Sequence, residues 1–325
     1  MARYIVTGAA GFIAARVVEM LAADGHEVLG VDNLNDAYDI RLKHWRLERL
    51  KQLPGFSFLQ ADISDRGIIQ TLGEKASGCV AVINLAARAG VRSSVADPWI
   101  YFSTNVDGAL NMMELCRQRD IPKFVQASSS SVYGDNNPMP YREDANTDQP
   151  LQPYAASKKA SEVLAYSYHY LHGLDVTIFR YFTVFGPAAR PDMAMFRFTQ
   201  WISEGKTVHV NGDGRQTRGF TFVDDIARGT IQGLKSLGYE IINLGGHEQI
   251  SMLDLIHLFE RKVGRSAVLE YGPIHKADAL ANLSDSGKAI RLLGWAPQVS
   301  LEEGVTRLVK WYRLERAWAS QVKTE

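Results

Sequence analysis

The stretch Tyr4-Ile5-Val6-Thr7-Gly8-Ala9-Ala10-Gly11-Phe12-Ile13-Ala14 constrains the fold of this chain more than any other. An apolar run reaches a glycine, turns within three residues and enters an amphipathic stretch that continues to Ala23. Gly8 permits the tight turn, Gly11 lets a phosphate approach the backbone, and small Ala14 lets the helix lie close to the strand. Free N–H groups at the helix start, at Phe12 and Ile13, favour an anion there. The spacing GxxGxxA is weak alone, because any tight strand–helix turn can use glycines.

Its context strengthens it. Asp32 ends the second apolar run, Glu27 to Val31, 18 residues after Ala14 (32 − 14). A carboxylate there can accept hydrogen bonds from an adenosine ribose and repels a 2′-phosphate, and no Arg directly follows it. NAD is therefore expected rather than NADP. Asp62-Ile63 follows the third run and reads as an adenine contact, or equally as a helix N-cap. Small residues in Leu85-Ala86-Ala87 leave room for a cofactor across the sheet edge, and ordinary packing explains them as well.

Further apolar runs at Phe56 to Gln60, Val80 to Leu85, Phe124 to Ala127 and Val176 to Phe179 are short and uninterrupted, as strands buried on both faces are. Helical stretches at Phe12 to Ala23, Asp97 to Arg119 and Pro153 to Leu171 alternate with them. This rhythm predicts an α/β fold, a Rossmann-type doubly wound parallel sheet. Beyond about residue 180, Gly, Pro and Arg cluster, and a helix near Val223 and a strand at Ile241 to Leu244 return to the sheet. Helices and one strand, Val268 to Tyr271, follow. The expected division is residues 1–180 with 220–246 as the cofactor domain, and 181–219 with 247–325 as a smaller α/β substrate domain.

Composition narrows the partners. Lys plus Arg and Asp plus Glu are 36 each among 325 residues, which argues against a nucleic-acid binder. With 46% apolar residues the chain has material for a core and is not a disordered tail. Cys79 and Cys116 have no CxxC spacing, so neither disulfide nor zinc site is expected and a reducing, cytoplasmic compartment is the simpler reading. No apolar run is long enough to span a membrane. The amino end imitates a short secretory signal, but cleavage would destroy the phosphate fingerprint.

Tyr154 and Lys158 lie four apart in a helical stretch and share a face. Phenol is a poor base near neutrality, and a neighbouring ammonium and a cationic nicotinamide stabilise its phenolate. A YxxxK pair is common on exposed helix faces. It gains weight here from the glycine turn and from Ser128-Ser129-Ser130-Ser131, which follows the fifth strand.

Together TGAAGFI, Asp32, SSSSVYG (Ser128 to Gly134) and YAASK (Tyr154 to Lys158) resemble the extended short-chain dehydrogenase/reductase superfamily. Within it the chain is most similar to the UDP-glucuronate 4-epimerase family. That likeness rests on VDNLNDAYDIRLK (Val31 to Lys43), LAARAGVRSSVADP (Leu85 to Pro98), FTVFGPAARPDMAMF (Phe182 to Phe196), RGFTFVDDI (Arg218 to Ile226) and LLGWAP (Leu292 to Pro297).

The resemblance implies an NAD-dependent isomerase that epimerises a UDP-sugar at carbon 4. Tyr154 would take the 4-hydroxyl proton, Ser129 would share its hydrogen bond, and Lys158 would hold the nicotinamide ribose and tune Tyr154. The expected cofactor site comprises Gly8, Gly11, Phe12, Ile13, Asp32, Asn33, Asp62, Ile63, Leu85, Ala86, Ala87, Asn105, Tyr154 and Lys158. Candidates for the substrate carboxylate are Thr183, Arg190, Ser130 and Ser131, with Arg88 and Arg92 in addition. Gln216, Arg218 and Asp278 are expected at the uridine diphosphate.

Related dehydratases and decarboxylases carry acidic residues just after the active-site Ser/Thr, where this chain has Ser130 and Ser131. That favours epimerisation over decarboxylation. A UDP-glucose/UDP-galactose 4-epimerase, a UDP-glucuronate decarboxylase and a dinucleotide-sensing protein without turnover are the competing readings. Arg88 stands where the family usually has Gln, Gly219 where it usually has Asp, and His275-Lys276 where a diphosphate-binding Arg often occurs. Pairing of the two long helices across a two-fold axis, as in family dimers, would give a homodimer.

Overall fold

A computed structural model describes residues 1–246, 248–273 and 283–324. Its centre is a parallel sheet built by strand–helix alternation. Strand β1 (Arg3–Thr7) leads into α1 (Phe12–Ala23), and β2 (Glu27–Asp32) into α2 (Arg41–Leu50). After β3 (Phe56–Gln60) come α3 (Ile68–Leu72) and β4 (Cys79–Asn84). Short helices α4 (Ser93–Ala96) and α5 (Pro98–Phe102) then precede α6 (Gly108–Gln118). Strand β5 (Lys123–Ser129) is followed by α7 (Pro153–His172) and β6 (Asp175–Tyr181).

Beyond β6, the chain forms β7 (Thr183–Phe185), α8 (Ala194–Glu204), β8 (Thr207–Asn211), β9 (Thr217–Phe222) and α9 (Val223–Gln232). It then adds β10 (Tyr239–Leu244), β11 (Glu248–Ser251), α10 (Met252–Val263), β12 (Val268–Gly272), α11 (Gly287–Leu293) and α12 (Leu301–Ala319).

Seven strands pair in the order β10-β6-β5-β4-β1-β2-β3, all parallel. This is the doubly wound order, with its switch point between β1 and β4, where ligands lie outside the carboxyl ends of strands. Two small sheets, β11-β9-β7 and β12-β8, stand beside it. One apolar cluster covers each face of the large sheet. A third, with Phe185, Phe196, Phe222, Phe259 and Tyr312, lies under the small sheets and also takes Leu42 from α2. The α11 segment and Trp295 pack on the large sheet, where the indole N–H donates 2.8 Å to the Asp225 carbonyl.

The single helix expected over Asp97 to Arg119 is broken. A π-turn at Ser103–Asp107 separates α5 from α6. It carries Asn105, which is buried, and π-turns recur where a helix must aim a side chain. Gly108, just after it, packs against Ile63; an added Cβ would lie 2.8 Å from that side chain.

Candidate active site

The glycine turn is pressed onto the end of β4. Gly8 has φ +68°, and a Cβ there would fall 2.8 Å from the Ala86 backbone. At Gly11 it would meet the Gly8 carbonyl at 2.7 Å. Helix α1 starts at this turn with no side-chain cap and no acidic residue in its first turn. Its open amides and the cradle that any Cβ would fill suit a pyrophosphate, so the residues present fit NAD. Asp32 is buried at the end of β2, accepting from the Ala10 N–H at 3.1 Å and the Leu34 N–H at 2.8 Å. Lys43 from α2 brings its ammonium within 3.5 Å of the same carboxylate.

Asp62 closes no helix. It accepts from the Ser64 N–H and hydroxyl at 2.9 and 2.7 Å and from the Asn33 amide at 2.7 Å. These bonds hold its carboxyl below the usual range although burial opposes them. Asn33, Asp62 and Ile63 thus sit together at the ends of β2 and β3. Leu85, Ala86 and Ala87 line the end of β4, where Ala86 N–H donates to the Thr7 hydroxyl. Asn105 accepts from the Arg88 N–H at 2.9 Å and donates to the Arg88 carbonyl and the Ser157 hydroxyl.

Arg88 brings its guanidinium within 3.4 Å of the Asn35 side-chain oxygen, while Asn105 holds its backbone N–H and carbonyl.

Tyr154 opens α7 and Lys158 follows one turn later. Burial raises the phenol, while the Ser129 hydroxyl hydrogen-bonded to it and the Arg190 charge pull it down and Tyr101 pushes it up. The Lys158 ammonium donates 2.9 Å to the Ala127 carbonyl. Burial pushes it down to about 8, with Glu162 acting against the shift. Ser129 ends β5 and accepts from the Ser131 N–H, and Ser130 and Ser131 begin a short 3-10 turn directly after it.

Arg190 is partly exposed and bidentate to Asp192, with Nε at 3.1 Å and Nη2 at 2.5 Å. Its Nη2 would lie 3.6 Å from a Cβ on Gly90, whose other neighbours are Tyr101 and Ser93. Arg190, Tyr101 and Tyr154 are thereby brought together; the two tyrosine rings meet edge to face at 6.1 Å. Thr183 begins β7, opposite Phe220 of β9. Arg92 stands at the start of α4 on the surface.

Gln216 donates 2.7 Å to the Asn211 carbonyl and keeps a buried side-chain oxygen without a partner. Arg218 turns back to the Thr217 carbonyl. Gly219 explains its own departure: a Cβ would fall 2.7 Å from the Gly246 carbonyl, where β9 crosses that loop. Asp278 and His275-Lys276 lie outside the described residues.

Sequence reasoning missed Lys43 and Arg46 on α2, Asp192 beside Arg190, and the Glu162–Arg180 pair behind Lys158. Glu162 had a visible signal, since it continues the four-residue spacing of Tyr154 and Lys158.

A doubly wound sheet with a phosphate turn and a Tyr-Lys-Ser cluster at its switch point defines a dinucleotide-dependent enzyme. The chain belongs to the NAD dependent epimerase/dehydratase family, whose model matches residues 4–245. It is 53% identical over 312 residues, 96% of each chain, to the UDP-glucuronate 4-epimerase of Thermodesulfobacterium geofontis. Among solved structures it resembles UDP-glucuronic acid 4-epimerase from Bacillus cereus in complex with UDP-glucuronic acid and NAD. The TM-score is 0.89 at 34% identity, over 96% of this chain and 99% of that one. UDP-glucose 4-epimerase from Thermotoga maritima matches with the same TM-score at 29% identity, over 97% and 99%.

Proposed function

We infer that the protein is an NAD-dependent isomerase that interconverts UDP-glucuronate and UDP-galacturonate. The observation that carries this reading is the convergence of Arg190, from the loop after β7, on the Tyr154–Ser129 pair. Asp192 holds the Nε–Nη2 edge of Arg190; a substrate carboxylate suits its other edge, and a neutral hydroxymethyl group would offer that edge no charge. The relative at 53% identity and the solved structure holding UDP-glucuronic acid and NAD support the same substrate.

Tyr154 takes the proton from the sugar 4-hydroxyl, and Ser129 fixes that hydroxyl against the phenol. When bound, NAD supplies reversible hydride acceptance at carbon 4. Lys158 stands behind Tyr154 and supports its phenolate, and Tyr154 returns the proton after the ring has turned. Thr183, Arg190, Ser130 and Ser131 restrain the carboxylate during that turn. The restraint matters because a 4-keto uronic acid is a β-keto acid, and its carboxylate leaves as carbon dioxide when it rotates out of plane. Ser130 and Ser131 put no carboxylate beside Tyr154 for other proton chemistry.

We assign the cofactor side to residues 1–180 with 220–246 and the substrate side to 181–219 with 247–325. Gln216, Arg218 and Asp278 are assigned to the uridine diphosphate and Arg92 to the substrate entrance. A homodimer is proposed through α5 and α7, which pack together and leave Trp99, Phe102, Val163, Tyr166 and Tyr170 exposed. Among the described residues no helix is long and apolar enough to cross a membrane. Cys79 and Cys116 are free and buried, which supports a cytoplasmic setting.

The test is to incubate purified protein separately with UDP-glucuronate and UDP-glucose and resolve the nucleotide sugars. UDP-galacturonate from the first is expected. Faster conversion of the second, or release of a UDP-pentose, overturns the reading.

A further inference from the structure

The proposed function places a cofactor at the Gly8–Gly11 turn and a sugar acid beside Arg190. A single side chain touches both loops. Arg46, on α2, is 4% exposed. Its Nε donates 2.7 Å to the Ala10 carbonyl, between the two turn glycines. Nη1 donates 2.6 Å to the Ala188 carbonyl, and Nη2 donates 2.5 Å to the Tyr38 hydroxyl.

Ala188 is a non-glycine residue at φ +53°, two positions before Arg190. Such a conformation persists only where its surroundings over-determine it, and the bond from Arg46 is one determinant. Leu42, one turn earlier on α2, lies in the same apolar cluster as Ala188. All three acceptors of Arg46 are neutral oxygens, so its buried charge is held by carbonyl and hydroxyl dipoles behind the anion-binding turn. A planar fork can tie two backbones at fixed spacing; an ammonium on a flexible stem cannot.

We propose that Arg46 is a positioning residue that links the cofactor turn to the loop carrying Arg190, so that each ligand is held more tightly when the other is bound. The inference rests on the proposed substrate. By linkage, the factor by which the sugar nucleotide tightens NAD equals the factor by which NAD tightens the sugar nucleotide.

The experiment follows release of NAD from the loaded protein with and without saturating UDP-glucuronate, for the wild type, Arg46→Lys and Tyr38→Phe. In the wild type the substrate slows release by roughly tenfold, within the ordinary range of such couplings. In Arg46→Lys, release is faster and the substrate no longer slows it. KM for UDP-glucuronate rises, whereas kcat stays within about twofold. Tyr38→Phe keeps both carbonyl bonds and keeps the coupling, which separates the link from general loosening. Coupling of wild-type size in Arg46→Lys, or none in the wild type, overturns the proposal. Should the wild type not turn over UDP-glucuronate, the substrate reading fails on its own, and the same release assay with whichever UDP-sugar the protein converts still decides the role of Arg46.

Discussion

Glu162 and Arg180 form a two-pronged ion pair, with Nε and Nη2 at 3.0 and 2.8 Å from the two carboxylate oxygens, buried one helical turn beyond Lys158. The same carboxylate accepts from the Ser128 hydroxyl at 2.6 Å, and Arg180 also donates to the Tyr133 hydroxyl at 3.1 Å. Strands β5 and β6 and helix α7 are thereby fastened together beneath Ser129, Tyr154 and Lys158. Removing one partner leaves the other charge buried and unpaired, which costs on the order of 3–5 kcal/mol. Arg180→Met and Glu162→Gln should each lower the urea midpoint strongly, and the double variant should lose much less than their sum. Additive losses would show that the two do not act as a pair.

Lys158 gives a pH signature. Its folded value is depressed by burial from the ordinary 10.5 to about 8. Between about pH 8 and 10.5 the unfolded chain therefore binds more protons at this site than the folded one, so the site's contribution to stability rises with pH across that window and is least below it. Lys158→Met removes the titration. The stability of the wild type minus that of the variant should increase from pH 8 to pH 10, read by denaturant unfolding. A flat or falling difference would contradict the buried position of the ammonium.

The backbone plan and the chemical core were legible in the sequence, whereas the supports around them were not. Six strands and the helix at Phe12 to Ala23 announce themselves by short apolar runs and a glycine turn, signals that depend on neighbours in sequence. Arg46, Lys43 and Arg180 are cations, which ordinarily read as surface. Their burial depends on partners brought in by other loops: Ala10 and Ala188 for Arg46, Asp32 for Lys43, Glu162 for Arg180. The π-turn that aims Asn105 leaves no mark because its residues suit a plain helix. The β11-β9-β7 sheet was hidden in a Gly- and Arg-rich stretch whose strands are only three to six residues long.

The proposed contact of Arg190 with the sugar acid predicts specificity. The Nε–Nη2 edge of Arg190 is held by Asp192, which sets the direction in which the rest of the guanidinium faces. Charge-assisted bidentate contacts are worth about 1.5–3 kcal/mol. Arg190→Ala should therefore raise KM for UDP-glucuronate roughly 10- to 100-fold while changing the affinity for UDP little, as checked by kinetics and calorimetry. Equal losses for both ligands would move Arg190 away from the sugar acid.

Gly8 tests the cofactor turn separately from the chemistry. At φ +68°, with a Cβ only 2.8 Å from the Ala86 backbone, Gly8→Val can be accommodated only by moving the turn off the end of β4. The purified variant should contain no NAD and should still bind UDP. Retained NAD would place the phosphates elsewhere.

The most direct test of the central claim follows the hydrogen on carbon 4. UDP-glucuronate deuterated there is incubated with the protein in ordinary water, and the product is read by NMR and mass spectrometry. Epimerisation by hydride removal and return predicts UDP-galacturonate that keeps its deuterium at carbon 4. Deuterium lost to water, or a UDP-pentose with carbon dioxide in place of UDP-galacturonate, would contradict it.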